Sequence, residues 1–279
     1  MSRLLQIARK DFRDAARDGQ LYVLGALFLL IGLGIGYLAG SNAGSTAPQD
    51  VPQLTLLALV FFGSIAAITL SYNQIVGKRA SGELRVLLSL PFSRTEVVYG
   101  TFLGRLALVV TLTWLSLLLA TGVAVVMGAP VAFDLLLGAI LVIATLIAVF
   151  VSLAVGLSAG SVNTTRAAAG AFGLFIVFLF RLWDGVPIAA RYVLNGFSFP
   201  SGPAPTWARV WAHLQPMASL RNAIAEMSPP LTEAFGAYAA QIPASQPYYT
   251  EPWFGALVTA AWIVLPVTLG YVRLRSADL

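Results

Sequence analysis

Apolar residues run through this chain in long, nearly unbroken stretches, with no alternation and no single apolar stripe. A segment that is apolar on every side needs a large core or lipid around it, and one of about 20 residues spans a bilayer. Six such stretches lie at 20–40, 52–76, 101–127, 131–160, 167–183 and 253–272. A membrane β-barrel would instead show alternation over segments of about 10 residues. The predicted fold class is an all-α integral membrane protein with six transmembrane helices.

The pattern changes before the first span. At about 100° per residue, Arg3, Arg9, Lys10, Arg13 and Arg17 share one arc, and Leu4, Leu5, Ala8, Phe12, Ala15 and Ala16 the opposite one. Asp11, Asp14 and Asp18 sit between them, and Ile7 breaks the pattern. Residues 1–19 are predicted to form an amphipathic helix in the membrane interface, its basic face towards anionic lipid. The competing reading is a solvated basic tail.

A second change comes at 77–97. Ser81-Gly82-Glu83 opens a short helix with Leu84, Leu87 and Leu88 on one face, and Pro91 closes it. Ser93 and Glu96 form an S-x-x-E capping box at the start of the next helix. The prediction is a rigid helical hairpin whose leucine stripe packs on its own helices, on lipid or on another protein. Arg79, Glu83, Arg85 and Arg94 surround the stripe, and an apolar centre with a charged rim is the usual anatomy of a docking surface.

The connection 184–252 holds ten of the 15 prolines. Trp207, Val210, Trp211, Leu214, Met217 and Leu220 recur in it at helical spacing. Trp and Tyr favour the headgroup level, so this segment is predicted to form re-entrant or interface-lying helices. A separate outer domain would need a larger core.

Charge supplies the orientation. Arg3 to Arg17, then Lys78, Arg79, Arg85, Arg94 and Arg105, then Arg166, then Arg273 and Arg275 all fall on one side of a six-span layout. Residues 41–51 and 128–130 contain no Lys or Arg. The positive-inside rule then places both termini in the cytoplasm. The first apolar run is long enough to span and lacks an A-x-A-like end, so it reads as a retained helix. Asn163-Thr164-Thr165, a glycosylation sequon, faces the cytoplasm in this layout.

Composition agrees and removes several chemistries. Charged residues make up 10% of the chain against about 25% in soluble domains. The absence of cysteine excludes disulfides and thiolate sites, and a lone histidine, His213, excludes a multi-His metal site. The net charge of +5 is spread along the inner connections, so no nucleic-acid partner is implied. No G-x-x-x-x-G-K-[ST] occurs, so any ATP and magnesium are bound by a separate polypeptide. Gly156-Leu157-Ser158-Ala159-Gly160 has the spelling of a nucleophile elbow, but it ends a membrane helix and lies across the bilayer from His213. It reads as helix packing, and no catalytic residue is assigned. Gly32, Gly36 and Gly40 form G-x-x-x-G-x-x-x-G, a close-packing pattern that serves within one chain or between two. Asp134, and the i, i+3 pair Arg181 and Asp184, lie at span ends. No charged cluster lies at mid-membrane, which argues against an ion-coupled carrier.

Three segments resemble a known family, the ABC-2 type permeases. Ile7-Ala8-Arg9-Lys10-Asp11-Phe12-Arg13-Asp14 resembles the family's A-R-K-E-F-R-D opening, with Asp11 in place of the usual Glu. Gly82-Glu83-Leu84 through Leu87-Leu88-Ser89-Leu90-Pro91-Phe92-Ser93-Arg94 resembles its G-[TE]-L-x-x-L-L-[ST]-x-P-[VI]-[ST]-R segment. Leu214-Gln215-Pro216 is similar to its L-N-P. The layout is most similar to the family's NosY-like group. The resemblance implies one transmembrane domain over 1–279, acting as the permease subunit of an ATP-binding cassette exporter. It implies a separate ABC ATPase, a second permease copy as homodimer or heterodimer, and a bacterial or archaeal plasma membrane. It gives residues 1–19 the role of the elbow helix, with Arg9, Lys10, Phe12 and Arg13 in it. It gives 77–97 the role of the coupling segment, with Arg79, Glu83, Leu84, Leu87, Leu88, Pro91 and Arg94 at the ATPase. Two readings stand beside export: a mechanotransmitter passing ATPase motion to an outer partner, and an intramembrane enzyme, for which no paired catalytic residues can be assembled.

Overall fold

The computed structural model describes residues 3–17, 19–199, 201–240 and 247–277. Among these, the regular structure is entirely helical. In chain order the α-helices are α1 Arg3–Ala15, α2 Gly19–Ser41, α3 Asp50–Ser71, α4 Gln74–Ala80, α5 Glu83–Ser89, α6 Arg94–Val126, α7 Phe133–Gly160, α8 Thr164–Leu179, α9 Leu182–Leu194, α10 Thr206–His213, α11 Pro216–Ile224, α12 Pro229–Thr232 and α13 Pro252–Arg275. Asp18, part of the amphipathic reading, lies outside the described residues.

Five helical stretches are long and apolar enough to cross a membrane: Gly19–Ser41, Asp50–Ala80, Arg94–Val126, Phe133–Gly160 and Pro252–Arg275. The fifth predicted span, 167–183, is built differently. α8 stops after 16 residues, Arg181 takes a left-handed turn at φ 56°, and α9 leaves at 79°. A 16-residue helix rises only about 24 Å, short of a hydrocarbon core of about 30 Å. The expected Arg181–Asp184 ion pair forms at this elbow, at 2.7 Å. The six-span layout counts the bent pair as one span.

Two poles follow from the contacts. Pro48 accepts a backbone hydrogen bond from Ala132, and Gln53 Nε2 donates to the Pro230 carbonyl, so the connections after α2 and α6 share a pole with α12. At the other pole Arg94 Nη1 donates to the carbonyls of Leu274, Arg275 and Ala277, tying the start of α6 to the end of α13. Both described chain ends lie at this second pole, because α1 also packs on α6.

Small residues set the helix spacing. A Cβ on Gly32 would stand 2.6 Å from the Ser116 carbonyl oxygen, one on Gly36 would stand 2.6 Å from that of Ala120, and one on Gly40 would collide with Met127. The three glycines therefore seat α2 on α6 of the same chain. Gly156 meets Pro266 and Gly270 in the same way and seats α7 on α13. Ser158 is buried and its Oγ accepts the N–H groups of Ile75 and Val76, which the break between α3 and α4 leaves free. That is the work of the nucleophile-elbow spelling.

Candidate functional site

The hairpin at the terminal pole forms as its residues dictate. Gly82, at φ 79°, makes the left-handed turn between α4 and α5. Ser93 caps α6: its Oγ accepts from Glu96 N–H, while the Glu96 carboxylate accepts from Ser93 N–H at 2.7 Å. The leucine stripe, however, points inward. Leu84 is 1% exposed, and Leu87 and Leu88 are half-buried against the core of this chain. Leu84 is closed to a partner, while Leu87 and Leu88 divide their surface between the core and the outside. The face that stands clear carries Val86, 66% exposed, and Leu90, 50% exposed, with Glu83, Arg85 and Pro91 also exposed. Arg94 holds the C-terminus of α13, and Glu83 lies 3.7 Å from Lys10 Nζ. Arg79 is half-buried in the last turn of α4.

α1 also differs from a helix lying free in the interface. The side it presents to α6 runs through Leu4, Ile7, Ala8, Asp11, Phe12 and Ala15, with Ile7, Asp11 and Ala15 fully buried. Ile7, the odd residue of the amphipathic pattern, sits on Gly100, where a Cβ would meet it at 2.8 Å. Gly104 gives Asp11 the same clearance. Arg9, Lys10 and Arg13 remain exposed, and Leu5 turns outward. Lys10 is held in its charged form, first by its hydrogen bond to Asp14 and then by the nearby carboxylates.

Asp11 organises this pole. Arg105 Nε donates to its Oδ2 at 2.7 Å and Arg105 Nη2 to its Oδ1 at 3.3 Å, a bidentate pair. Lys78 Nζ reaches the same carboxylate at 3.5 Å. Arg105 Nη2 also donates to Gln74 Oε1 at 2.6 Å. One buried network thus joins α1, the hairpin helix α4 and the long helix α6. α6 has 33 residues, about 50 Å of rise, more than a hydrocarbon core of about 30 Å requires. α1 and α4 grip its first turns.

At the far pole, the segment after α9 is folded into the bundle. The residues read as one helical stripe from Trp207 to Leu220 belong to two helices, broken at Gln215-Pro216. Trp207 is half exposed, but Met217 and Leu220 are buried, because α11 is wedged against α7 and α13. Gln215 secures the break: its Oε1 accepts from Ala218 N–H, and its Nε2 donates to the carbonyls of Phe178 and Tyr238. Trp183 and Trp211 stack with ring centroids 4.4 Å apart, and each Nε1–H donates to the other residue's carbonyl. Trp262 Nε1 donates to the Leu214 carbonyl. Behind this clasp lies a polar cluster. Asn222 Nδ2 donates to His213 Nδ1 at 2.9 Å and to the Tyr249 carbonyl at 3.2 Å. Burial, then the charge of Arg221, pushes the His213 ring down to about 4. Burial, then the charge of Arg181, brings the Arg221 guanidinium down to about 10.

The profile described as ABC-2 family transporter protein matches residues 5–279. The chain belongs to the ABC-2 family. Its relatives include two proteins described as probable ABC transporter permease protein NosY. The one from Pseudomonas aeruginosa is 34% identical over 208 residues, covering 70% of this chain and 73% of the relative. The one from Stutzerimonas stutzeri is 31% identical over 217 residues, covering 71% and 74%. As an ABC-2 family member with five long apolar helices and a bent sixth pair, the chain is a multi-pass membrane permease subunit of an ABC transporter.

Sequence reasoning missed the Asp11–Arg105 pair and the α11 wedge. Asp11 carried a signal, since it interrupts the ridge of Leu4, Ala8, Phe12 and Ala15 on the face that α6 covers. Arg105 carried one too, as a charge inside an apolar run. Joining them required the packing of α1 on α6.

Proposed function

We propose that this chain is the membrane subunit of an ATP-driven exporter, pairing with a second permease copy and energised by a separate ABC ATPase. The ATPase holds the ATP and magnesium and docks at the pole bearing α1 and α5. That pole faces the cytoplasm of a bacterial or archaeal plasma membrane, as the clustering of Lys and Arg there supports. The single observation that carries the reading is the outer face of α5. Leu84 locks the helix to its own bundle while Val86, Leu90 and Pro91 stand clear among Glu83 and Arg85. The capped turn at Ser93 links the hairpin to the start of α6, the Asp11 network ties α4 and α6 to α1, and Lys10 with Glu83 ties α5 to α1.

Burying an apolar side chain contributes about 1.5–3 kcal/mol, so losing two weakens docking about a hundredfold or more. Val86→Asp with Leu90→Asp is expected to leave insertion and thermal stability unchanged and to abolish co-purification of the co-expressed cognate ATPase. Leu84→Asp is expected to destabilise the chain itself. A V86D/L90D protein that binds its ATPase with undiminished affinity refutes the docking face.

A mechanotransmitter reading has support of its own. α13 is clamped by Arg94 at one end and packs on α11 at the other, with Ser152 Oγ donating to the Ile263 carbonyl between them. Such a rod carries motion across the bundle without a translocation path. ATP-dependent flux in vesicles containing both subunits supports export, and ATP-driven rearrangement at α11 without flux supports transmission.

A further inference from the structure

Arg221 is 5% exposed, yet its Nε has no hydrogen-bond partner, and Nη2 makes a single long contact, 3.5 Å, to Asn222 Oδ1. No ion pair reaches it among the described residues, and the stretch 241–246 contains no acid in its sequence. The acid of the nearby elbow, Asp184, is taken by Arg181. Through Asn222, two further donors belong to the same cluster. Tyr249 Oη is buried and unpartnered. His213 receives the Asn222 amide on Nδ1, which places its own N–H on Nε2. Its ring centroid lies 5.2 Å from that of Tyr249. A cluster that holds a buried guanidinium, a hydroxyl and an imidazole N–H, with no carboxylate paired to it among the described residues, is complementary to an oxyanion, and Arg is the side chain best suited to phosphate.

We propose that Arg221, with Tyr249 and His213, forms an oxyanion site that takes a phosphate-type anion, carried by a lipid headgroup or free in solution. The site lies at headgroup depth, since Trp207, Tyr248 and Trp253 are about half exposed at the same pole. A groove of about 410 Å³, lined by Trp207, Trp211, Leu214 and Tyr248, begins one ring away from Tyr249. The groove gives a headgroup its approach. The enclosure of Arg221 means that a bound ligand survives purification.

The test uses the full-length chain in phosphate-free maltoside. Native mass spectrometry counts retained phospholipid, and thermal unfolding is followed while inorganic phosphate is added. Wild type is compared with R221M, R221Q and Y249F. Expected is loss in R221M and R221Q of one retained phospholipid or of the phosphate-induced rise in Tm, with apparent affinity falling about tenfold or more. Y249F shows a smaller decrease and serves as the charge-preserving variant if the Arg221 variants do not fold. Retained phospholipid that depends on Arg221 identifies a headgroup. A phosphate-induced rise without retained lipid identifies a free anion. Equal lipid retention and equal phosphate response in wild type and every folded variant overturns the site.

Discussion

Two arginines are buried to the same extent at opposite poles, and the chain treats them in opposite ways. Arg105 and Arg221 are each 5% exposed. Arg105 meets the Asp11 carboxylate with two hydrogen bonds and Gln74 with a third. Arg221 meets an amide oxygen at 3.5 Å and, among the described residues, no carboxylate. A buried charge is tolerated when paired and hydrogen-bonded. The terminal pole is therefore electrostatically closed, fit to transmit force as a unit. The far pole carries an open positive charge, fit to receive something.

Breaking the closed pair gives the largest effect. Asp11→Asn leaves Arg105 buried without its carboxylate and is expected to cost about 3–5 kcal/mol, read as a fall in unfolding temperature in detergent. Asp11→Leu with Arg105→Met, which removes both charges, is expected to recover most of that loss. R221M in anion-free detergent is expected to cost nothing, since no pair is broken. Equal losses from D11N and R221M would erase the distinction between the poles.

A pH titration sharpens the same contrast with a moderate effect. The unfolded His213 ring titrates near 6.5, and the folded ring at about 4. The fold thus favours the neutral ring. This contribution to stability is complete above pH 6.5 and is lost as pH falls from 6.5 towards 4. His213 is the only histidine, so its ring resonances are unambiguous. Hydrogen exchange is expected to rise in α10 and α11 across this window. R221M is expected to raise the ring's midpoint by removing a like charge. A wild-type midpoint near 6.5 would show that the far pole is open to water.

The smallest effect belongs to the exposed charges of the terminal pole. Lys10 lies 3.1 Å from Asp14 and 3.7 Å from Glu83, all largely exposed. Lys10→Ala is expected to change stability by about 1 kcal/mol or less, diminishing with salt. A loss as large as that of D11N would mean that the α1–α5 contact, rather than the buried pair, holds the elbow.

Much was legible before any coordinates. The apolar runs located the long helices to within a few residues, except for α6, which starts seven residues early, because run length against bilayer thickness is a property of the chain itself. The Ser93–Glu96 box, the opening of the hairpin helix at Gly82-Glu83 and the Arg181–Asp184 pair were legible too, since each acts across three or four residues. The leucine stripe of α5 was legible as a stripe, but its direction was not. Periodicity shows which face is apolar, while burial depends on what the tertiary fold lays against it. That placed Leu84 inside and left Val86 and Leu90 outside.

The sequence by itself determined that this is a helical membrane protein with most of its basic residues gathered at the pole that carries both described ends. These features rest on composition, local spacing and the cost of unpaired backbone in lipid. Only the tertiary structure decided that Asp11 and Arg105, 94 residues apart, form one buried pair while Arg221 forms none among the described residues. The reason is physical: a charge declares its cost locally, but its partner is chosen by how distant helices pack.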